Sequence, residues 1–126
     1  MRLMKTLIVG GTGFVGGYTA LHFQNHGHDV TIMSRSKPKG TSRLNNLPFL
    51  QGNYIEDDFR DGRLRGFDGL VFCAGNDLAN FPQDGSVTQA DYFAQANILA
   101  IPRFFERARH AGRRRRSRDA TFCRCR

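Results

Sequence analysis

Gly10, Gly13 and Gly16 recur at a spacing of three within LIVGGTGFVGG, residues 7–17. They leave an apolar run and open a helical pattern, and each can dispense with a side chain for its own reason. The first permits a tight exit from a strand. The second lets backbone approach a diphosphate, and the third lets a helix pack close to the sheet. The diphosphate would face the unpaired N–H groups at the helix start, where Phe14 and Val15 stand, and the positive end of the helix dipole. Thr12 adds a hydroxyl donor. The chemistry is binding of a dinucleotide; a plain strand-to-helix turn is the alternative reading of the spacing alone.

A second group stands where the next apolar run ends. An acid there would take the ribose 2′-hydroxyl of NAD, whereas an arginine holds the 2′-phosphate of NADP. The chain has Ser34 and Arg35, with Lys37 close by. NADP is the expected cofactor and NAD the alternative; the plainer reading makes Arg35 and Lys37 solvated loop residues. Asp29 lies at the start of this run, the wrong end for the ribose.

Positioning these groups requires strands and helices in alternation. Leu3–Val9 reads as a buried strand and Gly10–Gly13 as a turn. Phe14, Tyr18 and Leu21, with Val15 beside them, give the following helix one apolar face, and Gly27 ends it. Asp29–Arg35, Pro48–Asn53 and Asp68–Gly75 read as further strands, and residues 56–66 as a short helix or turn. Residues 86–112 are helical in pattern, with Ile101, Phe104, Phe105 and Ala108 on one face. Pro102 should kink that helix or mark the first turn of its second part. The expectation is an α/β fold: a Rossmann-type parallel sheet with flanking helices, right-handed crossovers and strand order 3-2-1-4. Near-continuous apolar strands fit a sheet covered on both faces.

The stretch LIVGGTGFVGGYTALHFQNHGHDVTIMSRS (residues 7–36) resembles the N-terminal part of the extended or atypical short-chain dehydrogenase/reductases, the NAD(P)-dependent epimerase/dehydratase group. The resemblance extends over residues 3–112. It implies that Asn53, with Tyr54 next to it, stands where the family places an aspartate for the adenine. It implies that Cys73, Ala74 and Gly75 pass the cofactor ribose, and that Asn97 matches an asparagine of the fourth long helix. It also implies hydride transfer to or from a small-molecule substrate, with a tyrosine as general acid/base and a lysine four residues later. That pair is absent. Tyr54 is followed four residues on by Asp58 and Tyr92 by Ala96, and Lys5, Lys37 and Lys39 are the only lysines. No catalytic residue is assigned, and whether the chain turns over a substrate is left open; the alternative is a non-catalytic NADP-binding or redox-sensing module that recruits a partner.

Where the family has a fifth strand, the chain has RRRRSRDATFCRCR, residues 113–126. The net charge of +8 divides unevenly: residues 1–112 carry 12 basic and 10 acidic side chains, and residues 113–126 seven arginines and one aspartate. The body is therefore near neutral. The preferred reading is a dinucleotide-binding domain over residues 1–112, truncated after about four strands, with an out-of-frame tail. A nucleic-acid-binding arm is disfavoured, because no folded basic platform or aromatic interleaving accompanies the arginines; a solvated, disordered terminus without a role is the plain alternative. Lacking a fifth strand, the fourth becomes an exposed edge through which the chain is expected to self-associate.

The remaining bounds are short. A chain of 126 residues suits one domain, and 40% hydrophobic residues suits a folded one. Cys73, Cys123 and Cys125 do not make a disulfide framework, and Cys123 with Cys125 is a poor metal pair. His22, His26 and His28 are expected to serve a helix end and solvent rather than a metal, Cys73 to be a small buried hydrophobe, and Asp77 to be a loop residue. No apolar stretch spans a bilayer, and the expected location is the cytoplasm.

Overall fold

The computed structural model describes residues 3–75 and 81–113. Its elements are β1 (Lys5–Val9), α1 (Phe14–Asn25), β2 (Asp29–Ser34), a 3₁₀ turn (Arg43–Asn46), β3 (Phe49–Gln51), β4 (Gly69–Phe72), α2 (Gln89–Ala94), a π-helical turn (Gln95–Leu99) and α3 (Ala100–Arg113). The strands form one parallel sheet in the order β3-β2-β1-β4, as the pattern requires. Among the described residues, no strand pairs the outer side of β4. No described helix is long and apolar enough to cross a membrane. Asp77, Cys123, Cys125 and the tail beyond Arg113 lie outside the described residues.

The pleat of β1 and β2 divides the core in two. Leu7, Val9 and Met33 face one side and pack with Tyr54, Phe59, Leu64 and Phe104. Ile8, Val30 and Ile32 face the other and pack with Ala20 and Leu47. Both sides are covered, which is why the strands read as continuous apolar runs. All four strands are shorter than their apolar runs. β1 has partners from Lys5 onward, and Leu3, outside the ladder, is 61% exposed.

The apolar face expected of α1 packs only at Leu21, which lies against the core. Phe14, Val15 and Tyr18 are 81%, 63% and 69% exposed, while Gly16, Gly17 and Ala20 are buried. The physical reason is distance. A Cβ on Gly16 would stand 2.1 Å from the Gly10 carbonyl oxygen. A helix this close to the glycine turn can present only hydrogen or methyl to it, so the larger side chains turn outward.

The long second helix starts later than its pattern and changes its winding just before Pro102. Thr88 caps it, its hydroxyl accepting the Asp91 N–H at 3.1 Å. The π-helical turn follows α2, with the Ala100 N–H reaching the Gln95 carbonyl. Pro102 then falls in the first turn of α3, and because the helix runs on without a break its missing N–H leaves the Ile98 carbonyl without the usual helical donor, which fits a π turn at this place. α3 buries Ala100, Phe104 and Ala108. Phe59 has a left-handed backbone, φ 55°, which costs a non-glycine residue about 1–3 kcal/mol. Its ring is 4% exposed and meets Phe104 edge-on at 5.4 Å. Burying a phenylalanine returns about 1.5–3 kcal/mol, enough to hold the strained turn.

Candidate functional site

β1 ends at Val9, and Gly10 turns the chain with φ +80°. The Gly10 N–H donates to the Met33 carbonyl at 2.8 Å, tying the turn to β2. The chain leaving β4 passes directly above: a Cβ on Gly10 would lie 2.7 Å from the Ala74 Cα. Cys73 extends the β1–β4 ladder by donating its N–H to the Val9 carbonyl at 2.8 Å. Gly11 is equally confined, since its Cβ would press on Ile32 at 2.5 Å; the motif spacing did not single it out.

Gly13 differs from the other three. It is the N-cap of α1 with φ −78° and ψ 175°, extended backbone open to any residue, and no side chain caps the helix. A Cβ there would meet only the Gly10 oxygen, at 3.4 Å. Neither conformation nor internal packing requires a glycine at this position. Beyond it, the N–H groups of Phe14, Val15 and Gly16 have no hydrogen-bond partner among the described residues, as the first turn of any helix leaves them.

These elements bound a cleft of about 290 Å³ at the carboxyl ends of the strands. It brings together Gly10, Thr12, Gly13, Ser34, Arg35, Asn53, Tyr54, Cys73, Ala74 and Gly75. Phe14, Val15 and Gly16 are not in its wall; what the first two bring to the helix start is their N–H groups, their side chains lying in solvent. Asn97 is exposed, sits in the π-helical turn and is also outside the wall. Met33 and Gly52 line the cleft and were missed by the motif. Gly52 is recognisable afterwards as a packing glycine, because its Cβ would crowd the Met33 sulfur at 2.8 Å.

The wall next to β3 is held by a polar network. The Asn53 side-chain oxygen accepts the Ile55 N–H at 3.0 Å, and the Asn53 N–H donates to Asp57 Oδ2 at 2.8 Å. Arg63 bridges Asp57 and the Gln51 carbonyl, and Arg107 of α3 donates to the Asp57 carbonyl at 2.6 Å. Tyr54 is spent on the core: it is 7% exposed, its hydroxyl donates to the Ala96 carbonyl at 2.9 Å, and its ring meets Phe72 edge-on. On the opposite wall the Ser34 hydroxyl donates to the Ser36 carbonyl at 2.5 Å. Cys73 is a partly buried free thiol packed against the α1-side core. The histidines stay at the far end of α1, where His26 Nδ1 contacts the His22 carbonyl at 2.9 Å and His28 Nδ1 accepts the Met4 N–H at 3.4 Å. A strand-end cleft with glycine backbone on one side and open helix N–H groups beside it suits an anionic, elongated ligand.

A model of the NAD dependent epimerase/dehydratase family matches residues 6–119. No curated protein matches the sequence. Among solved structures the chain is similar to MoeE5 in complex with UDP-glucuronic acid and NAD, at 23% identity and TM-score 0.64, over 86% of this chain and 33% of that one. It is similar to a carbonyl reductase from Pseudomonas aeruginosa at 22% identity and TM-score 0.63, over 86% of this chain and 57% of that one. A UDP-glucose-4-epimerase from Stenotrophomonas maltophila, with bound NAD and formylated UDP-arabinopyranose, gives 20% identity and TM-score 0.65 over 86% and 34%. The chain thus spans between a third and three fifths of the length of these three proteins.

Proposed function

The chain belongs to the NAD dependent epimerase/dehydratase family, and from that premise we propose that its strand-end cleft binds a nicotinamide dinucleotide, with the diphosphate over Gly13 and the first turn of α1. The observation that carries this reading is Gly13. Its backbone suits any residue and its Cβ would touch one atom at ordinary contact distance, so the fold does not explain why it is bare. A diphosphate seated against the helix N-terminus does. MoeE5 and the Stenotrophomonas epimerase were solved with NAD bound, which supports the ligand class.

NADP is the preferred form, because Ser34 and Arg35 line the cleft where β2 ends and no acid stands there. Adenine would lie against Asn53, whose side-chain NH2 has no partner among the described residues while its oxygen is held by Ile55. The 126 residues contain no tyrosine followed four positions later by a lysine. The reading is therefore cofactor binding, with reductase, epimerase or dehydratase chemistry assigned to the family and not to residues of this chain. The cytoplasmic location, the division at Gly112 and association through the outer side of β4 belong to the same proposal.

Titration of the protein with NADPH and NADH, followed by fluorescence, tests it. NADPH should bind, and Gly13→Val should weaken it more than tenfold by placing methyl groups where the diphosphate lies. The same change should cost less than about 1 kcal/mol of stability, the scale of an N-cap exchange. Failure of both dinucleotides to bind, or binding unaffected by Gly13→Val, overturns the proposal.

A further inference from the structure

A second concavity, of about 450 Å³, lies between the loop over residues 58–65 and the carboxyl-terminal half of α3. It shares no residue with the strand-end cleft. Arg60, Arg65, Arg107 and His110 line it, opposed by one carboxylate, Asp58. Three guanidinium groups against one carboxylate leave a charge of +2 before any contribution from His110.

The partners of these arginines differ. Arg60 pairs with Asp58 at 3.5 Å, but both are largely exposed, 87% and 60%, and such a pair is worth little. Arg107 donates one N–H to the Asp57 carbonyl at 2.6 Å, which anchors the group without neutralising it. The Arg65 guanidinium has no hydrogen bond or ion pair among the described residues. It packs beside Gly62, whose φ of +86° and missing side chain leave room for it. By contrast Arg63, in the same loop, is ion-paired to both Asp57 and Asp61, and Arg109 on α3 is ion-paired to Glu106. The chain neutralises those two arginines and leaves those facing the concavity short of acid.

Cations near a helix carboxyl terminus also answer its dipole. That accounts for Arg107 and His110, but Arg60 and Arg65 come from another segment, and the helix end supplies only about half a charge. The concavity is compact, and its aromatic, Phe59, is 4% exposed with its ring engaged by Phe104 and Arg63. Phe59 therefore offers no face for a base to stack on, and the exposed imidazole of His110 is a sparse platform by itself, which favours a small anion over a nucleic-acid strand. We propose that Arg60, Arg65 and Arg107 form a binding site for a small phosphate-bearing anion, separate from the dinucleotide cleft. Guanidinium groups match phosphate oxygens in bidentate geometry.

The test is a titration of the full chain, isotopically labelled, with inorganic pyrophosphate, glucose 6-phosphate and a single-stranded oligonucleotide, read from backbone amide chemical shifts. Pyrophosphate or glucose 6-phosphate should shift the amides of Gly62, Arg65, His110 and Ala111 along a saturating curve; which of the two binds more tightly separates a free diphosphate from a phosphomonoester as the source. Residues 113–126 and the amides of Gly11 and Gly13 report on themselves separately. Arg65→Ala should weaken the saturating shifts at least fivefold, whereas Arg103→Ala, an exposed arginine of α3 outside the concavity, and Gly13→Val should leave them unchanged. Survival of this response when dinucleotide binding fails keeps the two proposals distinct. Shifts reproduced by sodium chloride at equal ionic strength, an unchanged response in Arg65→Ala, or an oligonucleotide binding these amides more tightly than either phosphate would each overturn the proposal.

Discussion

The two sides of the sheet are packed by opposite means. On the α1 side the first turns of the helix meet the strands through Gly16, Gly17 and Ala20, and Phe14 and Tyr18 face solvent while Leu21 and Phe23 pack further along. On the α3 side Phe104 is fully buried among Phe59, Phe72 and Phe105. Backbone proximity on the first side shapes the cleft at the strand ends; side-chain volume on the second supplies much of the apolar burial that stabilises the sheet. Cleft geometry and stability are thereby assigned to different faces, and substitutions should separate them.

The largest effect is expected from Gly16→Ala. A Cβ 2.1 Å from the Gly10 oxygen has backbone on both sides of the clash and nothing flexible to move, so the cost should exceed the about 1–3 kcal/mol of ordinary overpacking. Loss of a cooperative thermal melt would confirm it, and a near-native melt would show that α1 can withdraw from the turn. Next comes Phe104→Ala, which should lower stability by about 3–5 kcal/mol in chemical denaturation while leaving the architecture of the glycine turn intact in the residual folded fraction. Far smaller is the double change Phe14→Ser with Tyr18→Ser. These rings touch each other at 5.1 Å and are otherwise exposed, so the denaturation midpoint should move by no more than about 0.5 kcal/mol in equivalent energy. A loss on the scale of Phe104→Ala would abolish the contrast between the faces.

The smallest effect is electrostatic. The Asp61 carboxyl sits below its ordinary value of 3.8, first through the Arg63 backbone N–H and then through the Arg63 side chain. A depressed folded value stabilises the folded state above the unfolded value, and that contribution disappears as pH falls through the folded one. Acid titration of stability should therefore show the difference between Asp61→Asn and the parent shrinking as pH falls below about 3.8 and vanishing below the lowered folded value; a difference that survives undiminished in stronger acid would assign the residue another role.

The glycine motif and the covered faces of the sheet were legible in the chain because each is a local or periodic signal, and the order of the four strands followed from the fold type that this alternation of strands and helices specifies. Gly10 and Gly16 are dictated by backbone that approaches within a few ångströms, and the ends of β2, β3 and β4 converge once the strands run parallel. The same reasoning misassigned the buried face of α1. Periodicity identifies which residues share a side of a helix, and only the distance to the neighbouring backbone decides whether that side is admitted. Gly11 and Met33 were missed because their roles come from cross-strand contacts.

What the sequence by itself determined is the ladder of elements and the bare turn at the strand end, since apolar runs, glycine positions and the missing proline N–H act over a few residues. Only the tertiary structure decided that Arg107 anchors the Asp57 carbonyl fifty residues away in the chain, that Tyr54 spends its hydroxyl on Ala96, and that Arg65 meets no acid among the described residues. Those outcomes depend on which groups meet after the chain crosses from β3 to β4 and α3 returns along the sheet, and no spacing along the sequence encodes that meeting.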